Sequence, residues 1–311
     1  MNNRRDFLKQ TSALITLGAM ANSPIQLFAS NQRNKKLTVL HTNDWHSRIE
    51  PFDKSEKNYG GFGGAEFRAA LIKKIRSEEE NILLLDAGYI FQGTPYFNFY
   101  AGELEYKLMS EMGYDCATLG NHDFDNGIEG IVNQLPNANF DFVNCNYSFK
   151  NTALEGKIKP YKIFNKHGIR VGVFGLGIEL KGLVPEKNYG HIIYNDPIEN
   201  AKKTAAFLKT EKNCDLIICL SHLGYQYKNQ KVSDEVLAKK SENIDLIIGG
   251  HTHTFLNEPV VFKNNQGGDV LVTQVGWAGI NLGRIDFDFS NRTATKAVQA
   301  SSVIAIDGKN I

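Results

Sequence analysis

Short apolar runs that alternate with amphipathic segments leave this chain few folds to choose from. "KLTVLHT" is followed by "GGAEFRAALIKKIRSEEE", "NILLLDA" by "GELEYKLMSEMG", and "IRVGVFGLG" by "PIENAKKTAAFLKTEK"; "CDLIICLSH" and "IDLIIGGH" continue the series. A strand pattern that hands over repeatedly to a helical one predicts an α/β fold, a mainly parallel sheet flanked by helices. Beyond His253 the helical pattern stops. "PVVFKN", "DVLVTQVG", "NLGRIDFDF" and "TKAVQASSVIAI" read as strands joined by Gly and Asn turns. They are expected to form a second, antiparallel sheet packed against the first.

In open α/β sheets ligands gather outside the carboxyl ends of the parallel strands. Five runs here end in residue types that bind metals: Asp44 and His46 in "HTNDWH", Asp86 and Tyr89 in "DAGY", Asn121 and His122 in "GNHDFD", His222 in "CLSH", and His251 and His253 in "GGHTH". One histidine at a strand end is ordinarily just a hydrogen-bonded polar residue, but five of the chain's eight histidines fall at these ends. In D-x-H and H-x-H, an extended backbone would turn both side chains to one side, where they could grip a single ion. Asn121 and His122 are adjacent and point apart, so Asn121 can offer its amide oxygen to a metal while His122 faces a substrate. Asp125, three residues on, is placed to orient that imidazole. Mixed imidazole and oxygen donors suit zinc, manganese or iron better than magnesium or calcium.

Other features carry less. His41, His167 and His191 receive no catalytic role. "YGGFGG" has no following Gly-Lys-Ser/Thr and reads as a lead-in to a helix, and the aromatic-rich "YIFQGTPYFNFYAG" as a half-buried loop. The four cysteines include no C-x-x-C pair and are expected to be buried or semi-buried thiols.

Residues 1–30 stand apart. Arg4 and Arg5 precede Phe7, Leu8 and Lys9, then a mildly apolar stretch and small residues, the pattern of a twin-arginine export signal and hence of a periplasmic protein. The apolar part is too short to span a bilayer, so no stable membrane insertion is expected. The whole chain has a formal charge of +1, and the leader holds three basic residues and one acidic, so residues 31–311 carry about −1. That balance gives no broad basic surface for nucleic acid and favours a small-molecule partner. The 281 residues of 31–311 are long enough for a substantial core.

"LTVLHTNDWHSRI" and "YDCATLGNHDFD" resemble the signature segments of the calcineurin-like metallophosphoesterases, and within them the 5′-nucleotidase family; Asp123 stands where glutamate is usual. "LLLDAG", "IFQGTP", "CLSHLG" and "IIGGHTHTF" match in order and spacing, so the resemblance runs from Lys36 to Phe289. It implies a four-layer α/β/β/α sandwich and hydrolysis of phosphomonoesters, nucleoside monophosphates among them, by a metal-bound hydroxide; the same metal core also serves phosphodiesterases. Asp44, His46 and His253 would hold one ion and Asn121, His222 and His251 the other. His122, oriented by Asp125, would stabilise phosphoryl charge or protonate the leaving alkoxide.

Two departures matter. The family loop reads D-A-G-D, and its second aspartate bridges the metals; here that position is Tyr89. Two divalent ions about 3.5 Å apart repel by up to about 19 kcal/mol at an effective dielectric of about 20, much of which a shared carboxylate offsets and a phenol does not. The site would then hold one ion and turn over poorly, hold none and be non-catalytic, or recruit a ferric ion that deprotonates Tyr89, with the first reading favoured. Asp86 matches a family position that is not a ligand and is expected to bond loop amides. The second departure is length: nucleotide-hydrolysing relatives carry a further C-terminal domain for the nucleoside. Either the substrate is recognised through its phosphate, or a separately encoded polypeptide supplies that domain.

Overall fold

The structure, a computed structural model, describes residues 36–229, 231–289 and 297–309. The export signal read from the sequence lies outside the described residues. Among the described residues there are fourteen strands: β1 Lys36–Thr42, β2 Ile82–Asp86, β3 Cys116–Ala117, β4 Asp141–Phe142, β5 Tyr147–Ser148, β6 Tyr161–Lys166, β7 Ile169–Gly177, β8 Ile193–Tyr194, β9 Leu216–His222, β10 Leu246–Gly249, β11 Val260–Lys263, β12 Asp269–Thr273, β13 Asn281–Asp288 and β14 Ala297–Ala305. The helices are α1 Ala65–Glu78, α2 Pro95–Tyr100, α3 Glu103–Met112, α4 Gly127–Gln134, α5 Glu186–Tyr189, α6 Pro197–Thr210 and α7 Asp234–Lys240.

Two six-stranded sheets carry the fold, ordered β14-β13-β1-β2-β3-β4 and β11-β12-β10-β9-β7-β6. The alternation of side chains along each strand explains why they stack. Leu83 and Leu85 of β2 meet Leu216, Ile218 and Leu220 of β9 and Leu246 and Ile248 of β10 in one buried cluster between the sheets. Leu84, one residue out of phase, faces Leu71, Ile72 and Ile75 of α1 and Tyr106 and Met109 of α3. Ile217 and Cys219 face Ala201, Ala205 and Leu208 of α6 and Leu237 of α7. The result is the four-layer α/β/β/α sandwich.

The strands after His253 do not form a sheet of their own. β13 pairs antiparallel with β1, and β12 pairs parallel with β10. Each extends one of two mixed sheets, because the hydrogen-bonding edges of β1 and β10 are free to take a partner whereas an isolated sheet would leave edges of its own unpaired. The aromatic-rich run after Tyr89 also differs from a loop. It contains α2, which buries Phe97 and leaves Phe99 exposed.

Cys116, Cys145, Cys214 and Cys219 are thiols, three of them buried. Among the described residues no helix is long and apolar enough to cross a membrane.

Candidate metal centre

Five loops converge at one end of the two sheets. Asp44 and His46 follow β1, Tyr89 follows β2, Asn121 and His122 follow β3, His222 ends β9, and His251 and His253 follow β10. β1, β2 and β3 run parallel in one sheet, β9 and β10 in the other, so all five ends face the same way.

Asp44, His46 and His253 offer ligand atoms that all lie within 4.8 Å of one another. The Nε2 atoms of His46 and His253 are 2.9 Å apart. Asp44 Oδ1 lies 3.6 Å from His253 Nε2 and 3.9 Å from His222 Nε2. On the far side, His251 Nδ1 is 2.9 Å from Asn121 Oδ1, and the rings of His222 and His251 are 5.4 Å apart. All six residues named as ligands from the sequence therefore border one centre, and Asp44 is the carboxylate between the two sets.

The way they get there differs from the extended geometry expected for D-x-H and H-x-H. Asp44, His46, His251 and His253 all have positive φ, 51°, 58°, 72° and 52°. These are left-handed turns beyond the strand ends, a conformation that non-glycine residues rarely adopt and that clusters at functional sites. Side chains are aimed by turn geometry, not by strand alternation.

Burial and hydrogen bonds test whether a cation suits the site. His222 is fully buried and its Nδ1–H donates to the Ala87 carbonyl at 2.7 Å. Its Nε2 is buried and has no hydrogen-bond partner in the protein, although it lies 3.9 Å from Asp44 Oδ1. A buried ring nitrogen without a partner is costly unless a bound group meets it. Burial, joined for His46 by neighbouring imidazoles and for His251 by His222, pulls both of those pKa values down to about 3, which keeps the rings neutral as metal ligands must be. Burial alone would raise Asp44, but its bond to His253 and the fields of His222 and His253 outweigh that and hold it ionised. One buried carboxylate, with His46 and His251 held neutral beside it, fits a divalent cation.

Tyr89 faces this centre. Its ring lies 3.7 Å from that of His46, 4.3 Å from that of His122 in a stacked arrangement, and 6.2 Å from that of His222. The hydroxyl donates to Gln92 Oε1 at 3.1 Å. Burial, then the fields of Asp125, Asp44 and Asp123, push the phenol above its ordinary pKa. Asp86 stays out: its oxygens accept from Thr42 Oγ1 at 2.6 Å and from Gly88 N–H at 2.8 Å, and burial pushes its pKa up to about 7 despite those bonds. His122 is about one-third exposed and its Nδ1 lies 2.9 Å from Asp125 Oδ2, leaving Nε2 as the free ring nitrogen.

Three positioning residues were not picked out from the sequence. Asp123, in the sequence only a change from the usual glutamate, accepts backbone N–H bonds from Gly120, Tyr89, Ile90 and Phe91 at 2.7–3.1 Å, pinning the Tyr89 loop to the Asn121 loop. That contact is close enough to need glycine, since a Cβ on Gly88 would fall 2.6 Å from Gly120 N. Asn43 donates to Asp44 Oδ2 at 2.7 Å and accepts from Val275 N–H at 3.0 Å. Gln274 donates to the Gly250 carbonyl and accepts from Thr252 Oγ1 and Thr254 N–H, holding the H-T-H turn. Asn43 adjoins a ligand in sequence, whereas nothing near Gln274 marks it. Asp123→Ala would strand four buried donors and is expected to lower unfolding free energy by at least about 3 kcal/mol, measured as a fall in the urea midpoint.

The chain is similar to several known proteins. The 5′-nucleotidase of Vibrio cholerae is 35% identical over 302 residues, covering 89% of this chain and 53% of that protein. The snake venom 5′-nucleotidase of Gloydius brevicauda is 34% identical over 278 residues, 83% of this chain and 46% of that one. Among solved structures, a 5′-nucleotidase precursor from Thermus thermophilus superposes with a TM-score of 0.77 at 33% identity, covering 87% of this chain and 54% of its own. The NAD nucleotidase of Haemophilus influenzae gives 0.78 at 27%, covering 88% and 57%. The chain thus spans about half the length of the relatives it matches. The family model described as calcineurin-like phosphoesterase matches residues 37–255, and with the ligand-bearing turns falling inside that span this chain belongs to the calcineurin-like phosphoesterase family.

Proposed function

We propose that this chain is a metal-dependent phosphomonoesterase of 5′-nucleotidase type whose second metal position is weakened by Tyr89. The observation that carries the reading is the convergence of Asp44, His46 and His253 on one point, with Asn121, His222 and His251 beside it. The first three would hold one ion, zinc, manganese or iron by donor chemistry, and the other three a second. When bound, such ions lower the pKa of coordinated water and neutralise charge on phosphoryl oxygens.

The chain's own residues do the rest. Asp125 holds the His122 proton at Nδ1, so Nε2 is presented to the phosphoryl or leaving oxygen and, when protonated, donates to it. Tyr89 lies against His122 and His46, fixing both rings and keeping water from their faces. It brings no negative charge to the second ligand set, which leaves Asp44 as the shared carboxylate. The substrate is a small phosphorylated molecule, nucleoside monophosphates included, and the arginine pair at residues 4–5 supports twin-arginine export to the periplasm.

The test is orthophosphate release from 4-nitrophenyl phosphate and adenosine monophosphate, with bis(4-nitrophenyl) phosphate as the diester control. Slow release that rises with added manganese or zinc and disappears with a chelator is expected, monoesters ahead of the diester. No release above buffer with every metal supplied would contradict the catalytic reading and favour a non-catalytic metal-binding homologue.

A further inference from the structure

Beside the metal ligands lies a set of rings that the chemistry above does not use. Trp277 lies nearly parallel to His253, 10° between planes and 5.6 Å between centroids, and edge-on to His46 at 5.4 Å. Phe52 and Tyr59 pack against Trp277 at 5.9 and 6.5 Å. Tyr59 and Phe255 are nearly parallel, 14° apart, at 6.0 Å. A continuous aromatic wall thus leads outward from His253 and ends in Phe255, which is 40% exposed.

The wall is held rigidly. A Cβ on Gly276 would lie 2.2 Å from the Phe255 ring, so that ring rests on bare backbone, and Phe255 pairs with Val275 as an antiparallel bridge. Glu56 accepts the N–H groups of Asn58 and Tyr59, fixing the opposite loop. The guanidinium of Arg48 caps Phe52 at 4.1 Å. A near-parallel pair, half-buried Tyr59 and exposed Phe255, continued edge-on by half-buried Trp277 next to a polar centre, forms a stacking surface: a planar π-face is attracted to such rings whatever its substituents, and an aliphatic group gains much less.

We propose that Phe255, Tyr59 and Trp277 form a subsite that stacks a planar aromatic group, nucleobase or aryl ring, carried on a phosphate bound where Asp44, His46 and His253 would hold a cation. The identity of the ring as part of a phosphoester rests on the phosphoesterase reading; its stacking does not. Phe255 and Tyr59 are too close at 6.0 Å to sandwich a third ring, which needs about twice the ~3.5 Å contact distance. The ligand ring therefore lies across the open face of the pair.

The chain's two tryptophans supply an internal control. The Trp45 indole N–H donates to the Arg48 carbonyl and that ring is buried, whereas Trp277 is part of the wall. Adenosine, benzyl alcohol and ribose are titrated separately into the full chain, and the two indole N–H resonances are followed by NMR. Adenosine is expected to shift Trp277 saturably and leave Trp45 in place, with ribose silent. A Phe255→Leu, Tyr59→Leu double variant is expected to bind about tenfold more weakly. A shift with adenosine alone assigns the ring to a nucleobase, and an equal shift with benzyl alcohol assigns it to aromatic rings in general. No Trp277 shift, an equal shift with ribose, unchanged affinity in the double variant, or a Trp277 resonance that moves with protein concentration alone would overturn the proposal. None of these outcomes depends on turnover, so failure of the subsite and failure of the phosphoesterase reading remain separable.

Discussion

Replacing Tyr89 by aspartate is expected to convert a site that binds one divalent ion firmly into one that binds two, and to raise monoester turnover by about one to two orders of magnitude. Charge is the cause. Asp44 is the carboxylate between the two ligand sets, and one carboxylate only partly offsets the repulsion of two ions about 3.5 Å apart. Tyr89 stands over the same centre, its ring packed on His46 and His122, and its phenol is held neutral by burial and three neighbouring carboxylates. An aspartate there adds a negative charge between the sets and removes a bulky ring. It also suits the backbone better, because φ is 65° at this position and aspartate tolerates the left-handed region more readily than tyrosine. Calorimetric titration with manganese checks it: a second site at least about a hundredfold tighter than in the native chain is expected. Tyr89→Phe separates the phenol from the ring. It should bind metal like the native chain, because the hydroxyl is engaged with Gln92; loss of metal in that variant would instead mark the oxygen as a ligand.

Asp44→Asn is expected to abolish the firm site and with it nearly all turnover. A dication and a carboxylate about 4 Å apart attract by up to about 8 kcal/mol at an effective dielectric of about 20, and even a third of that is a factor of about a hundred in affinity. The amide keeps the shape, so the Asp44 backbone bonds to Gly88 and Ala278 remain and the metal-free fold should lose little stability. Metal affinity and thermal midpoint measured on the same preparation check this. A variant that is inactive but also unfolds many degrees earlier would point to a structural role for Asp44 instead.

The layers were legible because alternation in β2, β9 and β10 is clean, and each inward residue has an outward neighbour that demands a helix. The partition into two sheets was not. β12 and β13 have the same kind of sequence, yet one joins β10 and the other β1, a choice made by which edge each connection reaches. At the site, residue types at strand ends located six side chains that converge but misread their backbone, since left-handed turns at Asp44, His46, His251 and His253 leave no period to read. Asp123 and Gln274 act through backbone amides and carbonyls, which any sequence possesses, so their roles become visible only when the loops are in place.

Whether these turns enclose a cation is measured most directly by the metal content of the full chain purified without chelator, by elemental analysis after extensive dialysis. About one equivalent of zinc, manganese or iron per chain is predicted, falling to near zero in Asp44→Asn. A native chain that retains no metal, and takes up none when zinc or manganese is supplied at tens of micromolar, would contradict the account.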